Sequence, residues 1–444
     1  MKLFDHQIKA LNMSEGLNHV AYFHDCGLGK TYTGAEKAIQ LNAKVNLVIC
    51  QKSKIQDWIE HFKKNYPQQL HVLDLTQSTG LVAFFEYQKL ISVLPIVGVI
   101  NYDLVWRRTE LLDLKDFTLM LDESSMIQHE EAVRTKFILN LNPTNVILLS
   151  GTPTSGKYEN LWSQIHLLNW KISKELFLKQ YVEVEWNEDS EGNRYSTVIG
   201  YKNIDRLKRK LAEHGCQFLK TDEVIDLPEQ NYQTIKVPVS AEYKTFHKKK
   251  IVMVHKHIEV NGSDRFFDSD VELVGDTSLT KMLGERELCG IYSKEKHQAL
   301  TDLILSTNDR VIIFYNFTAE YDSILRLNTN EWKRPLSVIN GSKKELAAYE
   351  DCDDSITLVQ YQAGAKGLNL QKANKVIYFT PTLRCEDWIQ SQKRIHRIGQ
   401  SKPCFYYLLV CNSSVEERIY SALELGVDYN EELFRKEEGY EEGN

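Results

Sequence analysis

The stretch AYFHDCGLGKTYTGAEKAI, from Ala21 to Ile39, constrains this chain more than any other. An apolar run leads into a glycine-punctuated turn, Asp25-Cys26-Gly27-Leu28-Gly29-Lys30-Thr31, and helix-forming residues follow. A strand that passes over small residues into a helix is the layout of a phosphate-binding loop. The glycines let backbone N–H groups converge on an anion, and the helix N-terminus adds the positive end of its dipole. Lys30 is then placed to reach the β- and γ-phosphates, and the Thr31 hydroxyl to ligate magnesium. The match to G-x-x-x-x-G-K-[ST] is incomplete, because His24 stands where the first glycine belongs. The run alone also describes a glycine-rich turn capping a helix. The rest of the sequence separates the two.

Upstream, LFDHQIKAL from Leu3 reads as a short amphipathic helix carrying Gln7, whose amide can present a donor and an acceptor together to an adenine edge. Downstream, VNLVIC (Val45 to Cys50) is an apolar run of strand length. It is followed by SKIQDWIEHFKKNY, where Ile55, Trp58, Ile59 and Phe62 recur at helical spacing. Further apolar runs are IVGVINYDLV, FTLMLDESSMI and NVILLSGTP. Strands alternating with helices, each strand ending in polar residues, predict a parallel sheet with ligands at its carboxyl edge. Asp122 and Glu123 end one such strand. They are the partners a phosphate loop needs, one carboxylate for magnesium and one to orient or deprotonate the attacking water. With both features present, the first half is expected to bind a nucleoside triphosphate.

From Gly156 to about Gly290 the texture changes to mostly helical segments. NLWSQIHLLNW, IDRLKRKLAEHG, AEYKTFHKKKIVMVHKHIEV and SLTKMLGERELCGIY read as helix, and VEVEWNEDSEGNRYSTVIG as a hairpin turning near Glu191-Gly192-Asn193. Lys244, Lys248, Lys249, Lys250 and Lys256 suit either phosphate contact or a solvated face. Alternation then resumes with RVIIFYNF, PLSVIN, SITLVQYQ, KVIYFT and CFYYLLV, a second lobe with no phosphate loop of its own. Its notable charges are Arg394 and Arg397, three apart on an expected helix; beside a triphosphate such a pair can serve as an arginine finger.

At 444 residues several domains are expected, and 42% apolar with 26% charged residues is ordinary for a globular protein. A net charge of −7 supplies no global basic field, so nucleic-acid binding has to come from local patches. Part of the acidity lies in Glu431 to Asn444, with six glutamates, which reads as a solvated end. The eight cysteines form no CxxC pair, as expected of free thiols in a reducing compartment. No leader-like segment and no run of about eighteen apolar residues is present, so no membrane contact and a cytoplasmic location are expected.

In order and spacing these segments resemble the helicase-related ATPases of superfamily two, and within them the Swi/Snf-like family. DCGLGKT resembles motif I, LDESS motif II, LLSGTPTSGKYENLW motif III and VIIFYNFTAEYDSIL motif IV. QYQAGAKGLNLQKANKVIYF resembles motif V, and QSQKRIHRIGQSKP with SSVEERI resembles motif VI and its sequel. The resemblance spans roughly Leu3 to Ile419. It implies an α/β fold of two RecA-like doubly wound parallel-sheet lobes with a mainly helical insertion, binding ATP and Mg2+. The implied domains are residues 1–155 for the first lobe and 156–290 for protrusion, hairpin and linker, partly packed on that lobe. Residues 291–430 form the second lobe and 431–444 the acidic tail. Gln7 is implied at the adenine, Gly27, Gly29, Lys30 and Thr31 at the phosphates and metal, and Asp122 and Glu123 at metal and water. Arg394 and Arg397 complete the site, with Gln390 nearby, while Ser150, Gly151 and Thr152 couple nucleotide state to lobe movement. Gly367 and Asn369 fall in a loop that relatives use near nucleic acid.

The sequence departs from the pattern at Ser125, where many relatives carry a histidine able to contact the coupling motif. That puts coupling in question more than hydrolysis. No chromatin-reader, nuclease or zinc module is recognisable, so a nearly bare motor is expected. The leading reading is an ATP-driven translocase on duplex DNA, with largely sequence-independent backbone contacts. A strand-separating or annealing helicase on forked or branched DNA is the alternative, and a nucleotide-gated nucleic-acid clamp with little turnover is the third. A metabolic kinase does not need motifs V and VI.

Overall fold

A computed structural model describes residues 2–438 except 91–93, 155, 189–193, 225, 260–265 and 365–367. The chain divides into two compact units, Met1–Asp226 and Leu227–Asn444.

The first unit is built on β1 (His19–His24), β2 (Val45–Cys50), β3 (His71–Asp74), β4 (Ile96–Asn101), β5 (Phe117–Asp122) and β6 (Asn145–Leu149). Beyond the hairpin β7 (Val182–Glu188) and β8 (Arg194–Tyr201), the chain returns to add β9 (Cys216–Leu219) at the sheet edge. The seven strands run in the order β3-β4-β2-β5-β6-β1-β9, every pair parallel. Because strand side chains alternate, both faces carry apolar residues. Ala21, Phe23, Leu47 and Leu119 belong to one buried cluster, and their neighbours Val20, Tyr22, Val48 and Met120 to another. Helix Ile55–Asn65 covers the second face with Trp58, Ile59 and Phe62, the positions its sequence spacing predicts. Helix Val133–Asn140 covers the first with Phe137 and Ile138.

The second unit contains β10 (Gln230–Val237), the hairpin β11 (Ile251–Glu259) and β12 (Phe266–Val274), then β13 (Val311–Tyr315), β14 (Leu336–Ile339), β15 (Lys344–Glu345), β16 (Ile356–Gln360), β17 (Lys375–Tyr378) and β18 (Cys404–Cys411). Its sheet runs β10-β18-β17-β13-β16-β14-β15, parallel except for the short β14–β15 pair. Again alternate residues separate, Ile312, Phe314 and Tyr378 to one cluster and Val311, Ile313 and Ile377 to the other. Both units are doubly wound α/β lobes.

Residues 156–290 are shared between the units. Their first part closes the first sheet through β9, and their second part supplies β10 as an edge strand of the second. Two hairpins lie within this stretch. The expected helix from Ala241 stops at Lys249, and Ile251–Glu259 is a strand paired residue for residue with β12. Lys250, in the left-handed conformation at φ 59°, ends the helix, and the β-branched Ile251, Val252 and Val254 suit a strand. The expected turn at Glu191-Gly192-Asn193 lies outside the described residues. β3, β9 and β10 carry weak patterns because they are short or lie at sheet edges. The acidic end is not simply solvated: Glu431–Glu437 forms a helix whose Phe434 is fully buried, and Glu438 pairs with Lys281 and Arg418. All eight cysteines are free. Among the described residues, no helix is long and apolar enough to cross a membrane.

One ion pair ties helix Lys294–Leu305 of the second lobe to helix Val415–Glu424, which follows its last strand. Lys296 Nζ lies 2.5 Å from both carboxylate oxygens of Glu416, and the two side chains are 0% and 1% exposed. Glu416 also accepts from the Cys411 backbone N–H at 2.9 Å. Replacing Lys296 by Met strands a buried carboxylate, an error typically costing about 3–5 kcal/mol. Urea unfolding should show that loss for Lys296→Met, and the added change Glu416→Gln should recover much of it.

Candidate nucleotide site

Three loops of the first unit lie side by side because β6 pairs with both β5 and β1. They are the acidic turn after β5, the Ser150–Pro153 segment after β6 and the glycine loop after β1. In the glycine loop, Gly27 and Gly29 have φ of 94° and 73°. At φ 73° an L side chain is strained, and a Cβ on Gly29 would fall 2.3 Å from Gln7 Nε2, so the position favours glycine. Gln7 is buried against the loop, with its Nε2 donating to the carbonyls of Gly29 (3.1 Å) and Leu28 (3.3 Å) and its Oε1 accepting from Phe4 N. Its amide therefore supports the loop backbone in this structure. Lys30 Nζ donates to the carbonyls of His24 (2.9 Å) and Asp25 (3.3 Å), so the ammonium sits curled over its own loop. His24, in place of the expected first glycine, is 1% exposed. Burial, with help from Lys30 and His6, pushes its ring pKa down to about 3 and keeps it neutral. Thr31 stands at the start of helix Lys30–Leu41.

The acidic turn is held from several sides. Trp58 Nε1 donates to Asp122 Oδ2 at 2.8 Å, and the Tyr102 hydroxyl donates to the Asp122 carbonyl at 3.0 Å. Burial, then the charge of Glu123, push the Asp122 pKa up to about 6, against the opposing pull of Trp58, Lys30 and Lys54. Glu123 adopts a left-handed φ of 57°, and its Oε2 is buried with no hydrogen-bond partner among the described residues. A Cβ on Gly151 would lie 3.3 Å from Lys30 Nζ and 2.9 Å from Cys26 Sγ, so the segment after β6 packs directly on the glycine loop. A triphosphate with a divalent cation fits this donor set: a glycine cradle, an ammonium resting on neutral carbonyls, and a buried carboxylate oxygen without a partner.

In the second unit Arg394 and Arg397 lie in the turn following helix Cys385–Gln392, not on the helix itself. The backbone leaves the helix because the Arg394 carbonyl accepts from Leu370 N at 3.1 Å. Both guanidinium groups converge on the Leu368 carbonyl, Arg394 Nη1 at 3.1 Å and Arg397 Nη1 at 3.2 Å. Arg394 is 5% exposed and also reaches Gln390 Oε1 at 3.4 Å, whereas Arg397 is half-buried. Gln390 donates to Glu386 Oε1. Asn369 is exposed, while Gly367 lies outside the described residues. Lys244, Lys248, Lys249 and Lys250 are all exposed around the helix Ala241–Lys249.

A model of the SNF2-related domain matches residues 6–290, and one of the helicase conserved C-terminal domain matches residues 295–399. The chain belongs to the SNF2-related family. It is 24% identical to the mouse SWI/SNF-related matrix-associated actin-dependent regulator of chromatin subfamily A member 1, covering 95% of this chain and 42% of that protein. It is also 24% identical to the putative ATP-dependent helicase/translocase YwqA of Bacillus subtilis, covering 93% of this chain and 46% of that one. The chain thus spans less than half the length of these curated relatives. A solved structure described as a Sulfolobus solfataricus SWI2/SNF2 ATPase core in complex with dsDNA aligns over 98% of this chain and 92% of that one, at TM-score 0.42 and 19% identity.

Sequence reasoning placed Trp58 in the core, where it is, but missed its indole N–H on Asp122. A buried indole requires a partner, and that was the one available signal. His6, Tyr102 and Gln164 carried no motif, and Asn160 lay inside the motif III segment without being singled out. The raised Asp122 pKa has a consequence for stability. Its folded pKa of about 6 exceeds the ordinary aspartate value of 3.8, so the stability it allows is complete below that value and is lost as pH rises through 6. Ionisation then costs the nucleotide-free protein roughly 3 kcal/mol. Asp122→Asn should match wild type in thermal unfolding near pH 4 and exceed it at pH 8, with no widening of the gap if the carboxyl is not strained.

Proposed function

We propose that this chain is an ATP-driven motor that moves along duplex DNA without reading its sequence. The observation that carries the reading is the packing of the glycine loop against Gly151 and beside the acidic turn, in a chain matching family models over both units. In this reading Lys30 exchanges its loop carbonyls for phosphate oxygens, and Thr31 and Asp122 hold the Mg2+. Glu123 orients water and takes its proton, while Gln7 keeps the loop in register and borders the adenine. When bound, ATP with Mg2+ supplies the phosphoryl group whose hydrolysis releases free energy. Arg397, half-buried on a neutral carbonyl, serves the phosphates as the finger, and buried Arg394 with Gln390 positions it. Differential affinity of two conformations for nucleotide drives the cycle, and backbone contacts make DNA binding fall steeply with salt.

A second reading, a strand-separating enzyme on forked DNA, draws support from Trp186 on hairpin β7–β8. Its side chain is 68% exposed, and an aromatic can stack on an unpaired base. Glu183 and Glu185 on the same strand oppose a close approach to phosphate.

Turnover should be compared without nucleic acid and with single-stranded DNA, blunt duplex and a forked duplex at matched low salt. Strong stimulation by blunt duplex supports the translocase, and stimulation by forks or single strands alone supports the second reading. Lys30→Ala should abolish turnover with the fold intact; unchanged turnover removes the phosphate-loop assignment. Arg397→Ala should bind ATP near-normally yet hydrolyse it at least about a hundredfold more slowly, given the scale of arginine fingers. A wild-type rate would show that Arg397 is not the finger.

A further inference from the structure

Ser125 stands where many relatives carry a histidine able to contact the next motif, yet in this chain those segments are bridged by other residues. Ser124 Oγ donates to Gln164 Oε1 at 2.7 Å, and Gln164 Nε2 donates to the Pro153 carbonyl at 2.7 Å. Ser124 and Gln164 are both fully buried. One turn earlier, Asn160 Nδ2 reaches Gln128 Oε1 at 3.2 Å and the Thr154 carbonyl at 3.0 Å. Residues four apart along a helical segment share a face, so the two amides form parallel rungs. Each rung has one end on the acidic turn and its sequel (Ser124, Gln128) and the other on the segment after β6 (Pro153, Thr154). That segment continues to Gly151, packed on Lys30 and Cys26.

We propose that Gln164, seconded by Asn160, is the positioning residue that couples the nucleotide site to helix Trp162–Leu167 and the chain beyond it. The inference rests on the nucleotide reading of the glycine loop and acidic turn. Among the described residues Gln164 makes its hydrogen bonds to Ser124 and Pro153, not to the loop glycines or the Asp122 or Glu123 carboxylates, so it acts through those two residues. A buried amide with donor and acceptor both engaged has few alternative arrangements, because breaking either bond strands a polar atom away from water. A shift of the acidic turn or of the Gly151 segment is therefore transmitted to the helix that carries the amide. Trp162, two residues before Gln164, is tied to the Ile172 carbonyl at 3.0 Å, which carries the contact on to the next segment.

The test is hydrogen–deuterium exchange on wild type, Gln164→Leu and Ser124→Ala, with and without a non-hydrolysable ATP analogue and Mg2+. Ser124→Ala removes one bond and spares the Pro153 contact, so it keeps the test usable if Gln164→Leu does not fold. In wild type the analogue should protect residues 25–31 and alter exchange across 158–168. In the variants the first effect should persist with near-normal analogue affinity, and the second should be lost. The ratio of DNA-stimulated to basal turnover should fall about tenfold, within the range of measured couplings. Variants that still alter 158–168 as wild type does, or that lose basal and stimulated turnover in equal proportion, would show the amide to be structural support only. Wild type that protects 25–31 without any change at 158–168 overturns the coupling and leaves the nucleotide reading standing. Wild type with no protection at 25–31 overturns both.

Discussion

The pairing of β6 between β5 and β1 is the constraint on which the candidate site depends. Parallel strands present their carboxyl ends at one edge, so three loops distant in sequence become neighbours there. The acidic turn brings carboxylates, the glycine loop brings an ammonium, and the intervening segment brings small residues that let the other two approach. A side chain at Gly151 would collide with Cys26, and one at Gly29 with Gln7. Backbone economy at these positions is what allows the chemistry to be assembled.

The same edge is where the fold accepts strain. Asp122 is half-buried with its pKa raised, Glu123 is held in the left-handed region, and one Glu123 oxygen has no hydrogen-bond partner among the described residues. Such conflicts cluster where a ligand is to be received, because the ligand supplies the missing charge. Elsewhere several buried charges are matched, although Glu320 in the second unit is also fully buried, with its pKa pushed up to about 6 by burial and its Oε1 without a hydrogen-bond partner among the described residues. Lys296 is closed by Glu416, and Glu285 by His247, Lys281 and Arg418.

The second unit repeats the architecture with different residues at its loops. In place of a glycine cradle, two guanidinium groups share the Leu368 carbonyl, a neutral partner that a phosphate can outcompete. Arg394 is almost fully buried and Arg397 half-buried.

The amino-acid sequence by itself determined the secondary elements with strong periodicity and the chemistry of the loops. The apolar runs of β1, β2, β4, β5 and β6 and of the main strands of the second lobe are legible because strands buried on both faces leave continuous apolar signatures. Gly27, Gly29, Lys30, Asp122 and Glu123 are legible because their residue types and order follow from phosphate chemistry. Edge strands β3, β9 and β10, the change from helix to strand after Lys249, and the docking of Phe434 were decided by tertiary contacts, since local patterns there are short or mixed. So were the indole of Trp58 on Asp122 and the amides of Asn160 and Gln164. Those residues read as ordinary helix positions until the parallel sheet sets the loops beside them, because a hydrogen bond between distant segments leaves no periodicity in the chain.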